Sequence, residues 1–176
     1  MAIKLLAISG SLRAVSSNTS LLRAAQLLAR PPVSIEMFDG LSRLPHFNPD
    51  LDIEPLPPAV VDLRARIKAA DGLVISSPEY ARGVAGVMKN ALDWMVSDTD
   101  FSGKPVALFN ASPRATHGLA ALRLTLETMA ARVIDEASIT LPLLSSPLDA
   151  RGIASDPALS QLIRDALAAF ANAIEK

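Results

Sequence analysis

The run Ile3-Lys4-Leu5-Leu6-Ala7-Ile8, then Ser9-Gly10-Ser11-Leu12-Arg13-Ala14-Val15-Ser16-Ser17-Asn18-Thr19-Ser20, then the helix-like stretch Leu21 to Leu28, decides the fold. A strand that empties into a hydroxyl-rich loop and then a helix is a place to hold a phosphate. Unsatisfied backbone N–H groups and the positive end of the helix dipole both point at a bound anion. Ser11, Ser16, Ser17, Asn18 and Thr19 add neutral donors, and Arg13 adds a charged one. Capping the helix needs only Asn18 or Thr19, with the serines left as solvated loop. The density of donors favours an anion.

Neither of the two common phosphate fingerprints is present. A Walker loop needs GxxxxGK[ST], and no Gly-Lys pair follows Gly10; a dinucleotide turn needs GxGxxG, and this loop has one glycine. Many side-chain donors suit a terminal monophosphate better than a pyrophosphate lying on bare backbone, so a mononucleotide is the expected ligand.

Working outward, short apolar runs alternate with longer amphipathic ones. The strands expected are Ile3–Ile8, Val33–Phe38, Gly72–Ser76, Val106–Asn110 and Arg132–Glu136. The helices expected are Thr19–Ala29, Ala59–Ala70, Val84–Val96, Gly118–Ala131 and Pro157–Ile174. Several strands are continuous Val/Ile/Leu runs, as in a parallel sheet covered by helices on both faces. Repeated βαβ alternation predicts a single open, doubly wound α/β domain over residues 1–176. Two stretches break the rhythm. Gly40 to Pro58 is proline-rich yet carries Leu41, Leu44, Phe47, Leu51 and Leu56, so it reads as an ordered loop packed on something, such as a partner subunit. Leu141 to Asp156, with Pro142 and Pro147, is similar.

Composition narrows the function. The net charge is −1, from 17 Lys and Arg against 18 Asp and Glu, which gives no basic footprint for nucleic acid or an anionic membrane. The absence of cysteine excludes disulfides, thiol catalysis and cysteine-held zinc or iron–sulfur clusters. The two histidines, His46 and His117, are far apart and offer no metal site. No apolar run approaches the roughly eighteen residues of a membrane span, and nothing at the start resembles a signal peptide. A cytoplasmic protein is expected.

Ligands of open α/β sheets bind beyond the carboxyl ends of the strands. Three loops should therefore meet: Ser9–Thr19, Ser76–Gly83 and Asn110–His117. The second holds Pro78, Glu79 and the chain's single tyrosine, Tyr80, whose ring and hydroxyl suit a planar ligand. Gly83 and Gly86 flank the start of the next helix, where backbone can approach a ligand or neighbour closely. On that helix, Asn90 and Asp93 are spaced to bond each other or a loop backbone, and Trp94 reads as packing. The third loop offers Ser112, Arg114 and Thr116, which serve equally as cap and solvated surface or as ligand contacts. His117 reads as a cap or surface residue.

Taken together these residues resemble the NADPH-dependent FMN reductase family, the flavodoxin-like group that includes quinone and chromate reductases. The pattern GSxRxxSxN appears as Gly10-Ser11-Leu12-Arg13-Ala14-Val15-Ser16-Ser17-Asn18. The pattern PEYN…PGxLKNAIDW appears as Pro78-Glu79-Tyr80-Ala81…Ala85-Gly86-Val87-Met88-Lys89-Asn90-Ala91-Leu92-Asp93-Trp94. The resemblance covers nearly the whole chain. It implies a flavodoxin-like five-stranded parallel sheet in the order 2-1-3-4-5, with FMN across the ends of strands 1, 3 and 4. By position it implies that Ser11, Arg13, Ser16, Ser17 and Asn18, with Thr19 beside them, hold the FMN phosphate. Pro78, Glu79 and Tyr80 would line the isoalloxazine, and Ser112 would approach it. The family's asparagine after the tyrosine is Ala81 here, and its proline before the glycine is Ala85. Arg82 follows as a partial substitute that can meet a nicotinamide-nucleotide phosphate.

The implied activity is an FMN-dependent NADPH oxidoreductase acting on a flavin, quinone or similar small-molecule acceptor, with no catalytic side chain because the flavin carries the chemistry. Family members commonly form homodimers or homotetramers. The alternatives are a flavodoxin-type electron carrier, typically far more acidic than this chain, and a flavin-binding module without turnover.

Overall fold

The computed structural model of the chain describes residues 2–143 and 148–176. Its first strand, β1 (Ile3–Ser9), is buried at every position except Lys4. Alternate β1 side chains point to opposite faces of the sheet: Ile3, Leu5 and Ala7 enter one core and Leu6 and Ile8 the other. A strand buried on both faces has no reason to alternate polar with apolar residues, which is why it reads as a continuous run. α1 (Ser17–Leu28) follows, capped by Ser16, whose hydroxyl oxygen accepts the Thr19 N–H at 3.3 Å.

The remaining elements are β2 (Val33–Phe38), α2 (Pro58–Ala69), β3 (Gly72–Ser76), β4 (Glu79–Tyr80), β5 (Gly83–Val84), α3 (Gly86–Asp93), β6 (Pro105–Asn110), α4 (Thr116–Thr128), β7 (Arg132–Val133), β8 (Ile139–Thr140), α5 (Ala150–Ser155) and α6 (Pro157–Ile174). The central sheet runs β2-β1-β3-β6-β7, with β8 pairing β6, and every pair is parallel. This is the order 2-1-3-4-5 with the last strand divided. Helices cover both faces. α1, α5 and α6 pack on one core around Leu21, Ile153, Ile163 and Phe170, and α2, α3 and α4 pack on the other around Leu63, Met88, Trp94 and Leu126. Truncating one of the large buried aromatics to alanine costs about 3–5 kcal/mol in such a core.

The fifth strand departs from expectation. Arg132–Glu136 is not one strand; β7 ends at Val133, a 3-10 turn occupies Asp135–Ala137, and β8 resumes beyond it. Asp135 and Glu136 are poor strand residues. Between the two pieces, Ser138 Oγ accepts the Leu108 N–H at 3.1 Å and donates to the Ile134 carbonyl at 2.8 Å, so a side chain replaces the missing ladder contact. The expected helix Val84–Val96 is also shorter at both ends, because Val84 belongs to β5 and a turn follows Asp93. α5 was not expected inside Leu141–Asp156; Pro147 of that segment lies outside the described residues.

The proline-rich segment packs on its own chain. Leu41 and Leu44 are buried in the second core. Asn90 Oδ1 accepts the Phe47 N–H at 2.8 Å, and Asn90 Nδ2 and Trp94 Nε1 both donate to the Pro45 carbonyl, at 3.0 and 2.8 Å. The Phe47 ring meets Trp94 edge-on, with centroids 5.1 Å apart. Arg64 Nη2 donates to Asp52 at 2.8 Å and to the Trp94 carbonyl at 2.6 Å, and the Ser97 hydroxyl donates to Asp52 at 2.6 Å. Asp93 pairs with Lys89, one turn back, at 2.6 Å.

Candidate functional site

The chain leaves β1 outward to β2 and returns through α2 to β3 on the other side of β1, so the loops after β1 and β3 part company and leave a crevice. Gly10 makes the approach of the two loops possible. A Cβ there would stand 2.4 Å from Ser77 Oγ and 2.9 Å from Ser77 Cβ, so the second loop would have to shift, and the Gly10 N–H donates to the Ser76 carbonyl at 2.8 Å.

The first loop presents its donors at the start of α1. No acidic residue occupies the first turn. Ser76 Oγ donates to Asn18 Oδ1 at 2.9 Å, fixing the amide with its NH2 group turned away from β3. Ser11, Arg13, Ser16, Ser17 and Asn18 all line one cavity of about 340 Å³. Thr19, expected beside them, does not line it. Its hydroxyl bonds Ser9 Oγ at 2.8 Å and faces the cleft next to the end of β2.

The second loop is a hairpin. β4 and β5 pair antiparallel, Glu79 opposite Val84 and Tyr80 opposite Gly83, and the two residues between them, Ala81 and Arg82, have φ of 49° and 60°. That is the backbone of a type I′ turn, which Asn-Gly sequences normally supply and which costs a residue with a Cβ about 1–2 kcal/mol. The position of Ala81 therefore asks for the asparagine of the family pattern on backbone grounds alone, since asparagine tolerates the left-handed region. Pro78, Glu79 and Tyr80 line the cavity, and Tyr80 is 54% exposed. The Glu79 carboxylate accepts the Gly118 N–H at 2.7 Å, satisfying an orphan donor in the first turn of α4 and complementing its dipole. Gly118 suits this approach, because a Cβ would crowd Glu79 and the Gly83 carbonyl at 3.0 Å and the hairpin would have to give way. Gly83 and Gly86, expected to permit close approaches, have no such crowding: a Cβ would find its nearest neighbour at 3.6 Å and nothing within 4 Å respectively.

The third loop is braced from within. Asn110 Nδ2 donates to the Ser112 carbonyl at 2.7 Å, the Ser112 N–H donates to Asn110 Oδ1 at 3.2 Å, and the Arg114 N–H donates to Ser112 Oγ at 3.1 Å. Asn110 and Ser112 are both nearly buried and both line the cavity, as do Ala111, Arg114 and Ala115. Sequence reasoning missed Asn110 and Ser77 as wall residues. A polar residue ending an apolar strand was the available signal for Asn110. His117 lies exposed in the first turn of α4 and is not part of the cavity wall.

A parallel α/β sheet of this order with a donor-lined, carboxylate-poor crevice at its switch point defines a flavodoxin-like nucleotide-binding protein. The sequence profile of the NADPH-dependent FMN reductase family matches residues 3–143, and the chain belongs to that family. An NAD(P)H-dependent FMN reductase of Pseudomonas aeruginosa is 38% identical over 176 residues, 96% of this chain and 93% of that one. A 2-hydroxy-1,4-benzoquinone reductase of a Burkholderia species is 37% identical over 115 residues, 64% of this chain and 62% of its own length. Among solved structures, FerB, a flavoenzyme NAD(P)H:(acceptor) oxidoreductase from Paracoccus denitrificans, superposes with a TM-score of 0.79 at 26% identity, covering 98% of this chain and 97% of that one.

Proposed function

We propose that this protein is an FMN-dependent NAD(P)H oxidoreductase that reduces a flavin, quinone or similar small-molecule acceptor. The observation that carries the reading is the convergence of the three loops on one cavity whose hydroxyl, amide and guanidinium donors gather at the start of α1. When bound, FMN would supply the two-electron hydride-transfer chemistry, which no side chain of the cavity provides. The chain's own residues bind and orient. Ser11, Arg13, Ser16, Ser17 and Asn18 hold the phosphate by charge-assisted and neutral hydrogen bonds at the helix terminus. Pro78, Glu79 and Tyr80 form one wall for the isoalloxazine and Ser112 the other. The donor set fits a monophosphate: Arg13 has no carboxylate partner among the described residues, and Glu79, the one acidic residue lining the cavity, is engaged with Gly118. Thr19 acts through Ser9, holding the loop's foot.

The test is the visible spectrum of purified protein, followed by NADPH oxidation with and without a quinone. Flavin absorbance in the blue and acceptor-dependent oxidation are expected. A protein that stays colourless after incubation with FMN overturns the reading.

The finer picture is a cytoplasmic homodimer or homotetramer. No helix among the described residues is long and apolar enough to cross a membrane. Leu51, Ile53 and Val96 are exposed around the Asp52–Ser97 bond, an apolar cluster suited to a second copy. Light scattering that returns the 18.6 kDa monomer refutes the assembly; recovery of the protein outside the cytoplasm refutes the location.

A further inference from the structure

Arg114 is a cation without a described task. Its backbone is fixed by the buried Asn110–Ser112 network, and its side chain lines the cavity. Among the described residues its guanidinium makes no hydrogen bond to protein and no ion pair, and residues 144–147 (Leu-Ser-Ser-Pro) contain no carboxylate. The one acidic residue of the cavity, Glu79, is bound to the Gly118 N–H. Two guanidiniums thus share a cavity with one occupied carboxylate. The phosphate of FMN already has the α1 terminus, the hydroxyls of the first loop and Arg13. A second guanidinium, on a different loop, exceeds that need.

We propose that Arg114 selects among acceptors, favouring quinones that carry a negative charge on or beside the ring, such as ionised hydroxyquinones and quinones bearing a carboxylate or sulfonate. The proposal rests on the flavin-site reading above. The charge must belong to a compact ligand. FMN held at the first loop would take up much of a cavity of about 340 Å³, leaving Arg114 to a compact ligand lying beside it. The loop fixes the Arg114 backbone, and its uncommitted guanidinium, a planar fork of donors, pairs bidentately with planar oxyanions.

The test uses FMN-loaded wild type, Arg114→Ala and Arg114→Lys. Oxidised enzyme without reductant is titrated with 1,4-naphthoquinone-2-sulfonate and with neutral 2-methyl-1,4-naphthoquinone, following the flavin absorbance; kcat/KM is then measured for both quinones. The wild-type ratio of sulfonate to neutral affinity should fall about tenfold in Arg114→Ala, and the kcat/KM ratio with it. Lysine should restore part of the ratio, and high salt should shrink the wild-type preference. An unchanged ratio overturns the assignment. So does an equal loss for both quinones, a loss of FMN itself, or a loss confined to the NADPH-over-NADH preference, each of which places the guanidinium elsewhere. Wild type that binds no flavin overturns the functional reading as well, and its spectrum tells the two failures apart.

Discussion

Ser76 Oγ donates to Asn18 Oδ1 at 2.9 Å, joining the last residue of β3 to the first turn of α1 across 58 positions of sequence. The bond uses the amide's acceptor and leaves its NH2 group as the face available to a ligand. Ser16 is treated alike, since its oxygen accepts the Thr19 N–H and its O–H remains. The loop therefore meets an incoming group with hydrogens, which selects anions before any net charge is counted.

Arg13 adds the one formal charge to that surface. Arg13→Ala should weaken FMN binding by roughly 1.5–3 kcal/mol, about one to two decades, while leaving the fold intact, because the side chain is exposed and its backbone bond to Ser11 Oγ survives. Riboflavin lacks the phosphate and serves as control. Titration of apoprotein with both ligands decides the matter; equal weakening of both means that Arg13 does not read the phosphate.

Tyr80 shapes the site rather than supplying a proton. Its ring borders the cavity, while its hydroxyl has no protein partner among the described residues. Tyr80→Phe should lower turnover by less than about tenfold, far below the ~10²–10⁴ lost with a general acid. Tyr80→Ala should lose more, through a looser wall. A thousandfold loss in the phenylalanine variant, with FMN still bound, makes the hydroxyl chemical.

The hairpin tip is strained at two adjacent residues. Ala81→Asn should stabilise the protein by about 0.5–1 kcal/mol, since asparagine enters the left-handed region more readily than alanine does. Urea unfolding with flavin absent measures this without interference from binding. A destabilised variant shows that the turn gains nothing from a residue suited to its backbone.

The clamp on the proline-rich segment should be acid-labile. The Ser97 hydroxyl, seconded by the Arg64 guanidinium and opposed by burial, holds the Asp52 carboxyl below its ordinary range. A carboxylate whose folded-state pKa is depressed contributes fully above its unfolded value of about 3.9 and loses that contribution as pH falls through the folded one. Asp52→Asn should cost about 1–2 kcal/mol near neutrality, and the difference should close as the pH drops below 4 or so. Unfolding free energies of both proteins across that range check the sign, and a gap that widens in acid contradicts it.

Much of this architecture was legible in the chain. The buried strands announce themselves because a two-faced strand has no polar face to interrupt it, and four of them fall within a residue or so of their expected limits. Loops that follow such strands identify the cavity, since Ser11, Arg13, Asn18, Glu79, Tyr80 and Ser112 are brought together as expected. Other features leave no local trace. Ala81-Arg82 carries no turn signature, so neither the hairpin nor the bond that ties it to α4, from Gly118 to Glu79 39 positions away, shows in the sequence. The break at Asp135 depends on Ser138 reaching Leu108 in another strand. The proline-rich loop reads from sequence as packed on something, such as a partner subunit, and the surface it packs on, Asn90, Trp94 and Arg64, lies elsewhere in the same chain; of the two partners open to Asn90, a loop backbone is the one it bonds.

The Glu79–Gly118 bond makes the two walls of the slot a single frame whose gauge is fixed by backbone and one carboxylate. The side chains facing that frame, Tyr80 on one side and Arg114 on the other, make no hydrogen bond among the described residues that sets it. A lineage, or a laboratory selection, can therefore exchange the facings to admit a new oxidant without rebuilding the gap into which it slides. Changes at Glu79 or Gly118 would instead alter the fit of every molecule at once.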